Sequence, residues 1–124
     1  VEWTNDDIID SSVFSHSTIT NPHQITVLSR GDYLLVYNDY LTSTVQRANP
    51  KITVQINGTT LSGAESKAHY IRSSSGHNDS SASLVFLLRD LRANDIITVH
   101  SAAEAQTGTV DDSLDALLTL WRKQ

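Results

Sequence analysis

Cysteine is absent from this chain of 124 residues. Without it there is no disulfide framework, no thiolate metal site and no cysteine nucleophile. A chain of this length is nevertheless long enough to fold around one core without covalent cross-links. We therefore expect a single domain stabilised by its own packing.

Long apolar runs are also absent. No window reaches the roughly 18 consecutive apolar residues of a membrane span, and the first residues, VEWTNDD, have no basic or apolar signal character. The nine Lys and Arg residues are scattered singly in a chain of formal charge −5. Because a nucleic-acid face needs clustered basic residues, neither nucleic acid nor a membrane is expected as a partner.

Alternation of apolar and polar residues is the strongest positive signal, and it is clearest over Gln24–Tyr40. Two alternating runs flank a corner at Arg30-Gly31-Asp32, and the second run carries Tyr33 and Tyr37. Period-2 alternation with β-branched and aromatic residues predicts two half-buried strands. The corner also spells an integrin-type tripeptide, which we discount because a tight turn alone accounts for the glycine.

Similar signals predict strands along the rest of the chain. They are a first strand around Ile8, Ile9, Val13 and Phe14, then Lys51–Asn57, a return strand from Thr59, Lys67–Arg72, Ser83–Leu88 and Ile96–His100. Asn57-Gly58 is the strongest short hairpin signal in the chain. The polar segments Ser73–Ser81 and Ser101–Asp112 are predicted to be loops.

The last segment, SLDALLTLWRKQ, fits two structures. Leu117, Leu118 and Trp121 continue a helical spacing from Leu114, with Ser113 as a candidate N-cap. Strand spacing instead groups Leu118 and Leu120 with Leu114 and Ala116. Because short strands precede this segment along the chain, we predict a closing strand.

The predicted fold is therefore all-β, a two-sheet antiparallel jelly roll. Residues 1–13 are predicted to form an N-terminal arm and the first edge strand. Residues 14–124 are predicted to form the jelly-roll domain.

Several motifs resemble the globular domain of the C1q and tumour-necrosis-factor (TNF) superfamily. Its Gly-x-Tyr-x-Φ-x-Tyr strand corresponds to Gly31, Tyr33, Leu35 and Tyr37. The segments ITVQINGTTL and SLVFLLRDLRANDIITVH resemble later strand pairs, although the second has Asn94-Asp95 where the family has a Gly-Asp corner. The terminal DSLDALLTL stands in the place of the last strand but lacks the family's Phe-Ser-Gly-Phe. The resemblance covers roughly Phe14–Leu120.

This resemblance implies a homotrimer, because the jelly rolls of the superfamily associate around a threefold axis. The implied interface sheet contains the strand after Gly31 and the terminal strand. Tyrosine suits a surface that is buried only on association, since it combines a large apolar area with a polar end. The interface candidates are Tyr33, Tyr37, Leu118, Leu120 and Trp121, and the alternative is that most of them fill the core of one chain.

Catalytic, cofactor-binding and metal-binding residues are not predicted. The five histidines lie on separate segments without HxH or HxxH spacing. No Gly-x-Ser-x-Gly elbow is present. Asp111-Asp112 and Asn78-Asp79 lack the spaced ligands of a calcium loop and are interpreted as solvated turns.

The function expected from these features is structural and non-enzymatic. Our first hypothesis is a trimeric decoration or cement protein of a bacteriophage capsid, exposed on the virion surface and bound to the major capsid protein or another virion component. In it, the polar arm clamps a neighbouring subunit by strand addition. The alternatives are a receptor- or glycan-binding head of a phage fibre or bacterial filament, and a secreted C1q/TNF-like ligand.

Overall fold

The structure, a computed structural model, describes residues 1–6, 9–42, 49–67, 79–103, 111–112 and 116–123. These residues form strands, turns and irregular segments, without a helix. The strands are β1 (Phe14–Ser15), β2 (Ile25–Val27), β3 (Gly31–Thr42), β4 (Pro50–Ile56), β5 (Thr59–Lys67), β6 (Asp79–Leu91), β7 (Ile96–Ala103), β8 (Asp111–Asp112) and β9 (Leu117–Lys123).

The strands form two antiparallel sheets. Sheet 1 has the order β1-β2-β7-β4-β5. In sheet 2, β3 pairs with β6 along one edge and with β9 and the short β8 along the other. The chain crosses between the sheets after β2, β3, β5, β6 and β7, whereas β1–β2, β4–β5 and β8–β9 each stay within one sheet. This is the jelly-roll arrangement predicted from the sequence.

The core lies between the sheets and is built by alternation along β3. Tyr33, Leu35 and Tyr37 are fully buried, whereas the residues between them face outward. They pack with inward-facing side chains from both sheets: Val27, Leu41, Ile52, Val54, Ala64, Ala82, Leu84, Leu88, Leu91, Ile97 and Val99. Each fully buried large aliphatic or aromatic side chain stabilises the fold by about 1.5–3 kcal/mol.

The hairpin predicted at Asn57-Gly58 is confirmed, and it joins β4 to β5. Both residues have positive φ, 52° and 81°, as a type I′ turn requires. The Asn57 side chain also reaches the β6–β7 turn, where its Oδ1 accepts from the Ile96 N–H at 2.9 Å and its Nδ2 donates to Asp95 at 2.9 Å. The hairpin turn is therefore stabilised both by residues that tolerate positive φ and by the hydrogen bonds from Asn57 to the β6–β7 turn.

The corner between β6 and β7 uses asparagine where glycine was the family expectation. Asn94 has a φ of 75°, and its backbone N–H donates to the Val27 carbonyl at 2.7 Å. Asparagine tolerates the left-handed region better than most residues. The substitution therefore preserves the corner.

The closing strand predicted at the C-terminus is confirmed, and the helical alternative is wrong. β9 pairs with Asp32–Asn38 of β3, with Leu118 opposite Tyr37 and Leu120 opposite Leu35. Local spacing left both structures open because the deciding partner, β3, lies far away in sequence.

The Gly31 corner differs from the tight turn predicted there. Gly31 is the first residue of β3 and has no positive φ, and the chain crosses between sheets at this point. A Cβ at Gly31 would meet Arg122 Nε at 3.0 Å, and the Arg122 guanidinium donates to the Arg30 carbonyl at 2.7 Å. A side chain at position 31 would therefore require the Arg122 side chain to shift by a few tenths of an ångström. Arg30 and Asp32 of the tripeptide both contact Asp90.

The N-terminal arm packs on its own chain. Among the described residues, the first strand is Phe14–Ser15. Val1 and Trp3 pack against the core, and the Trp3 ring meets Tyr37 edge-on with centroids 5.8 Å apart. The amino nitrogen of Val1 donates to the Val99 carbonyl at 2.8 Å.

Some predictions fall outside the described residues. They concern Ile8, most of the strand Lys67–Arg72, and the N-cap Ser113 with Leu114. Of the Ser73–Ser81 loop, the described part from Asp79 onward belongs to β6. Of the Ser101–Asp112 loop, Ser101–Ala103 belongs to β7 and Asp111–Asp112 forms β8.

Candidate self-association surface

The five predicted interface residues do not share one surface. Tyr33 and Tyr37 are fully buried within a single chain, so they fill the core and offer no area to a partner. Their burial matches the alternative given with the prediction, that they fill the core of one chain. Leu118 and Leu120 are half-buried and pack against the same core. Trp121 alone among the five points outward, with 54% of its surface exposed.

The outer face of sheet 2 carries a different apolar set, which we call the apolar stripe. It consists of Leu34, Val36, Val85, Leu87, Leu117 and Trp121. Its members face outward because they have the opposite parity to the core residues of β3 and its partners. Exposure reaches 65% at Val85 and 54% at both Leu117 and Trp121. Several large apolar side chains grouped on one face are characteristic of an interaction surface.

The register arranges the stripe in rows across three strands. Leu87, Leu34 and Trp121 form one row. The next row is Val85, Val36 and Thr119, and a third contains Ser83, Asn38 and Leu117. The stripe is therefore widest near the Gly31 end of β3, and it becomes polar toward the opposite end.

Charged groups close the stripe at the Gly31 end. Arg30 Nη2 lies 2.9 Å from Asp90 Oδ1, and Asp32 accepts from the Asp90 N–H at 2.8 Å. Asp90 has a φ of 52° because β6 bulges here, with two residues opposite Asp32. Arg89 and Lys123 lie beside the same end of β3. Basic residues that are far apart in the sequence therefore lie close together in the fold, next to the carboxylates of Asp32 and Asp90.

A groove of about 480 Å³ lies beside the stripe, between β5 and β6. Its apolar lining includes Ile56, Leu61, Phe86 and Leu87, and Leu87 also belongs to the stripe. Asp90 and Asp95 stand among its polar lining residues. Hydrogen bonds from the Arg92 N–H and the Asn57 side chain lower the pKa of Asp95, so this carboxylate stays ionised.

A bulge in β5 shapes this groove. Thr53 pairs with Glu65 and Gln55 pairs with Thr60, so residues 61–64 stand opposite Val54 alone. Gly63 adopts a φ of 82° within the bulge, and a Cβ there would lie 3.7 Å from Phe86 Cε2. The bulge thus bends β5 away from a regular ladder where the groove forms.

Two histidines, His16 and His100, make hydrogen bonds within the fold. His16, whose side chain is 3% exposed, places Nδ1 2.7 Å from Asp6 Oδ1 and Nε2 2.8 Å from the Pro22 carbonyl. It therefore ties the arm to the β1–β2 connection. His100 Nε2 lies 2.9 Å from Thr98 Oγ1. Burial, followed by the nearby positive charges, lowers the pKa of His100.

Across the described part of the chain, no group of three or more His, Asp or Glu side chains is arranged to hold a metal ion. Within the described ranges, no helix is long and apolar enough to cross a membrane. His69, His77 and Asn78 lie outside those ranges.

The two sheets, their crossovers and their core define the fold as an all-β jelly roll of the TNF-like type. A solved structure with this fold is Eiger, the TNF of S. frugiperda. It matches with a TM-score of 0.60 and 11% identity, over 90% of this chain and 69% of that chain. No family model matches the chain, and no curated protein matches it.

At 11% identity this likeness shows the fold alone. It confirms the C1q/TNF-like jelly roll predicted from Gly31, Tyr33, Leu35 and Tyr37. It lends no support to a virion type, which rested on composition.

Proposed function

We propose that this chain is a non-enzymatic structural module that acts by associating with copies of itself as a homotrimer. The observation that carries the proposal is the apolar stripe on the outer face of sheet 2. Val85, Leu117 and Trp121 each expose half or more of their surface there. Removing such area from water stabilises a complex by roughly 25 cal/mol per Å² before the costs of association.

Three copies, rather than two, are proposed because of the resemblance to C1q- and TNF-like domains, which assemble around a threefold axis. The stripe lies on the sheet that contains β3 and β9, the two strands that the resemblance assigns to the interface. In this proposal, the outward-facing residues of β3, Leu34 and Val36, replace the inward-facing Tyr33 and Tyr37 as interface candidates.

The proposed role of the trimer is to decorate or cement a bacteriophage capsid, on the surface of the virion. An acidic, cysteine-free, compact domain without a predicted catalytic motif supports a role in assembly. Arm-mediated clamping is removed from this proposal, because Val1, Trp3 and Asp6 contact their own chain. Attachment is assigned instead to surfaces of the folded trimer.

A secreted ligand is the second candidate, because the structural neighbour Eiger is itself a TNF. A fibre or filament head remains the alternative from the sequence. Imaging of the native particle separates these roles. Threefold knobs at regular capsid positions support decoration, whereas density confined to fibre tips, or absent from particles, contradicts it.

Self-association is tested by sedimentation velocity of the purified chain at micromolar concentration. We expect a trimer that the double variant Val85→Ser/Trp121→Ser shifts toward monomer. The matched control is Ile19→Ser, because Ile19 is 88% exposed but lies in the β1–β2 connection, away from the stripe. A wild-type monomer, or equal loss of association in the control, contradicts the proposal.

A further inference from the structure

Ring closure imposes a condition that the apolar stripe cannot meet alone. In a closed threefold ring every interface is heterologous, so one surface of a copy meets a different surface of the next. A stripe facing only the corresponding stripe of one neighbour would give a twofold dimer. The chain must therefore carry a second, complementary surface.

The groove between β5 and β6 lies in the right place for that second surface. Trp121 is in register with Leu34, which pairs with Leu87 of β6. The β6 residues that line the groove are 86–91, so the groove lies at the same height along the strands as Trp121. For a threefold axis parallel to these strands, which the proposed ring assumes, a pure rotation joins two sites only at equal height, whereas a height difference would produce an open helix.

The size and chemistry of the groove also match those of the Trp121 side chain. The groove of about 480 Å³ is large enough for an indole ring, and its lining includes Ile56, Leu61 and Phe86. Its charged lining residues are Arg89 and the carboxylates Asp90 and Asp95. Because Asp90 already pairs with Arg30, Asp95 is the carboxylate matched to Lys123, which lies on the outer face two residues beyond Trp121. Leu87 is shared by stripe and groove, so the two surfaces are continuous.

We propose that Trp121 of one copy inserts into the β5–β6 groove of the next copy, and that three such insertions close the ring. The inference rests on the proposed self-association and specifies its geometry. Each copy then contributes one indole and one groove. Tryptophan in a pocket is a common binding hot spot.

Complementation between two defective variants tests this geometry. Trp121→Ser removes the indole but leaves the groove. Ser62→Arg obstructs the groove at an exposed lining residue but leaves the indole. Each variant alone should bind about 30-fold or more weakly per interface, as expected for loss of a hot-spot tryptophan.

Mixing the two variants should restore one intact interface, between the groove of the first and the indole of the second. We therefore expect a heterodimer by sedimentation velocity, and no trimer, because the ring cannot close. Ser81→Arg is the matched control, since Ser81 is exposed on β6 opposite Tyr40, far from the groove. It should leave the trimer intact.

Other outcomes overturn the inference. A wild-type trimer whose two variants do not complement each other would falsify the insertion while leaving self-association standing. A Ser62→Arg variant that stays trimeric, with unchanged circular dichroism, also overturns it. A monomeric wild-type chain overturns the inference together with the proposed function.

Discussion

Adjacent residues of β3 should respond in opposite ways to substitution. Leu35 is fully buried in the core, whereas Val36 faces outward in the apolar stripe. Leu35→Ala leaves a cavity and should lower the free energy of unfolding by about 2–5 kcal/mol. For a domain of this size that corresponds to a fall in melting temperature of about 8–20 °C. Val36→Thr keeps the branched shape and should cost less than about 1 kcal/mol.

Association should show the reverse pattern. Val36→Thr places a hydroxyl in the stripe and should weaken the trimer, whereas Leu35→Ala should lower stability at every protein concentration. Urea unfolding followed by circular dichroism, at protein concentrations tenfold apart, separates the two effects. If Val36→Thr destabilises the dilute protein as much as Leu35→Ala does, the assignment of the two faces of β3 is wrong.

Three further substitutions probe the hairpin, the arm and pH. Asn57→Ala removes two side-chain hydrogen bonds and disfavours positive φ, so the urea midpoint should reflect a loss of about 2–3 kcal/mol; an unchanged midpoint would mean that the hydrogen bonds from Asn57 to the β6–β7 turn do not stabilise the fold. Trp3→Ala should cost about 2–3 kcal/mol in the same assay, because the indole packs on Tyr37; an unaffected midpoint would mean that the arm is undocked. Since burial lowers the pKa of His100, stability should fall as pH drops below about 6.5. Comparing wild type with His100→Gln at pH 7.5 and 5.0 checks this, and an equal loss in both excludes His100 as the cause.

Local patterns were sufficient to predict most strands. Asn57-Gly58 specifies its own hairpin through φ, and KITVQIN alternates without interruption. Both signals depend only on residues a few positions apart, so both can be recognised in the sequence without knowledge of the fold. The jelly roll then follows from the number of strands and the absence of a convincing interior helix.

The proposed interface could be predicted only in part, because alternation shows that a strand has two faces but not which one is the core. Tyr33 and Tyr37 looked like interface residues from their type, yet sheet 1 covers them. Within β3, the signal for the stripe is that Leu34 and Val36, on the opposite face from the tyrosines, are apolar as well. Which parity faces outward depends on the packing of sheet 1 over sheet 2.

Long-range contacts account for the remaining differences. Nothing near Trp3 in sequence indicates that its ring reaches Tyr37, and nothing near His16 indicates the bridge to Asp6. Arg30 and Arg122 are scattered in the sequence, but strand pairing brings them together. These contacts depend on the folded topology.

The parity of β3 has a consequence for sequence divergence. The core residues of β3 are constrained by the folding of one chain, whereas Leu34 and Val36 are constrained by the proposed contact between chains. In related chains that have lost self-association, we expect the outward positions to drift to polar residues while Tyr33, Leu35 and Tyr37 stay apolar or aromatic. Substitution rates along a single strand would then record, at every second residue, whether a lineage still assembles.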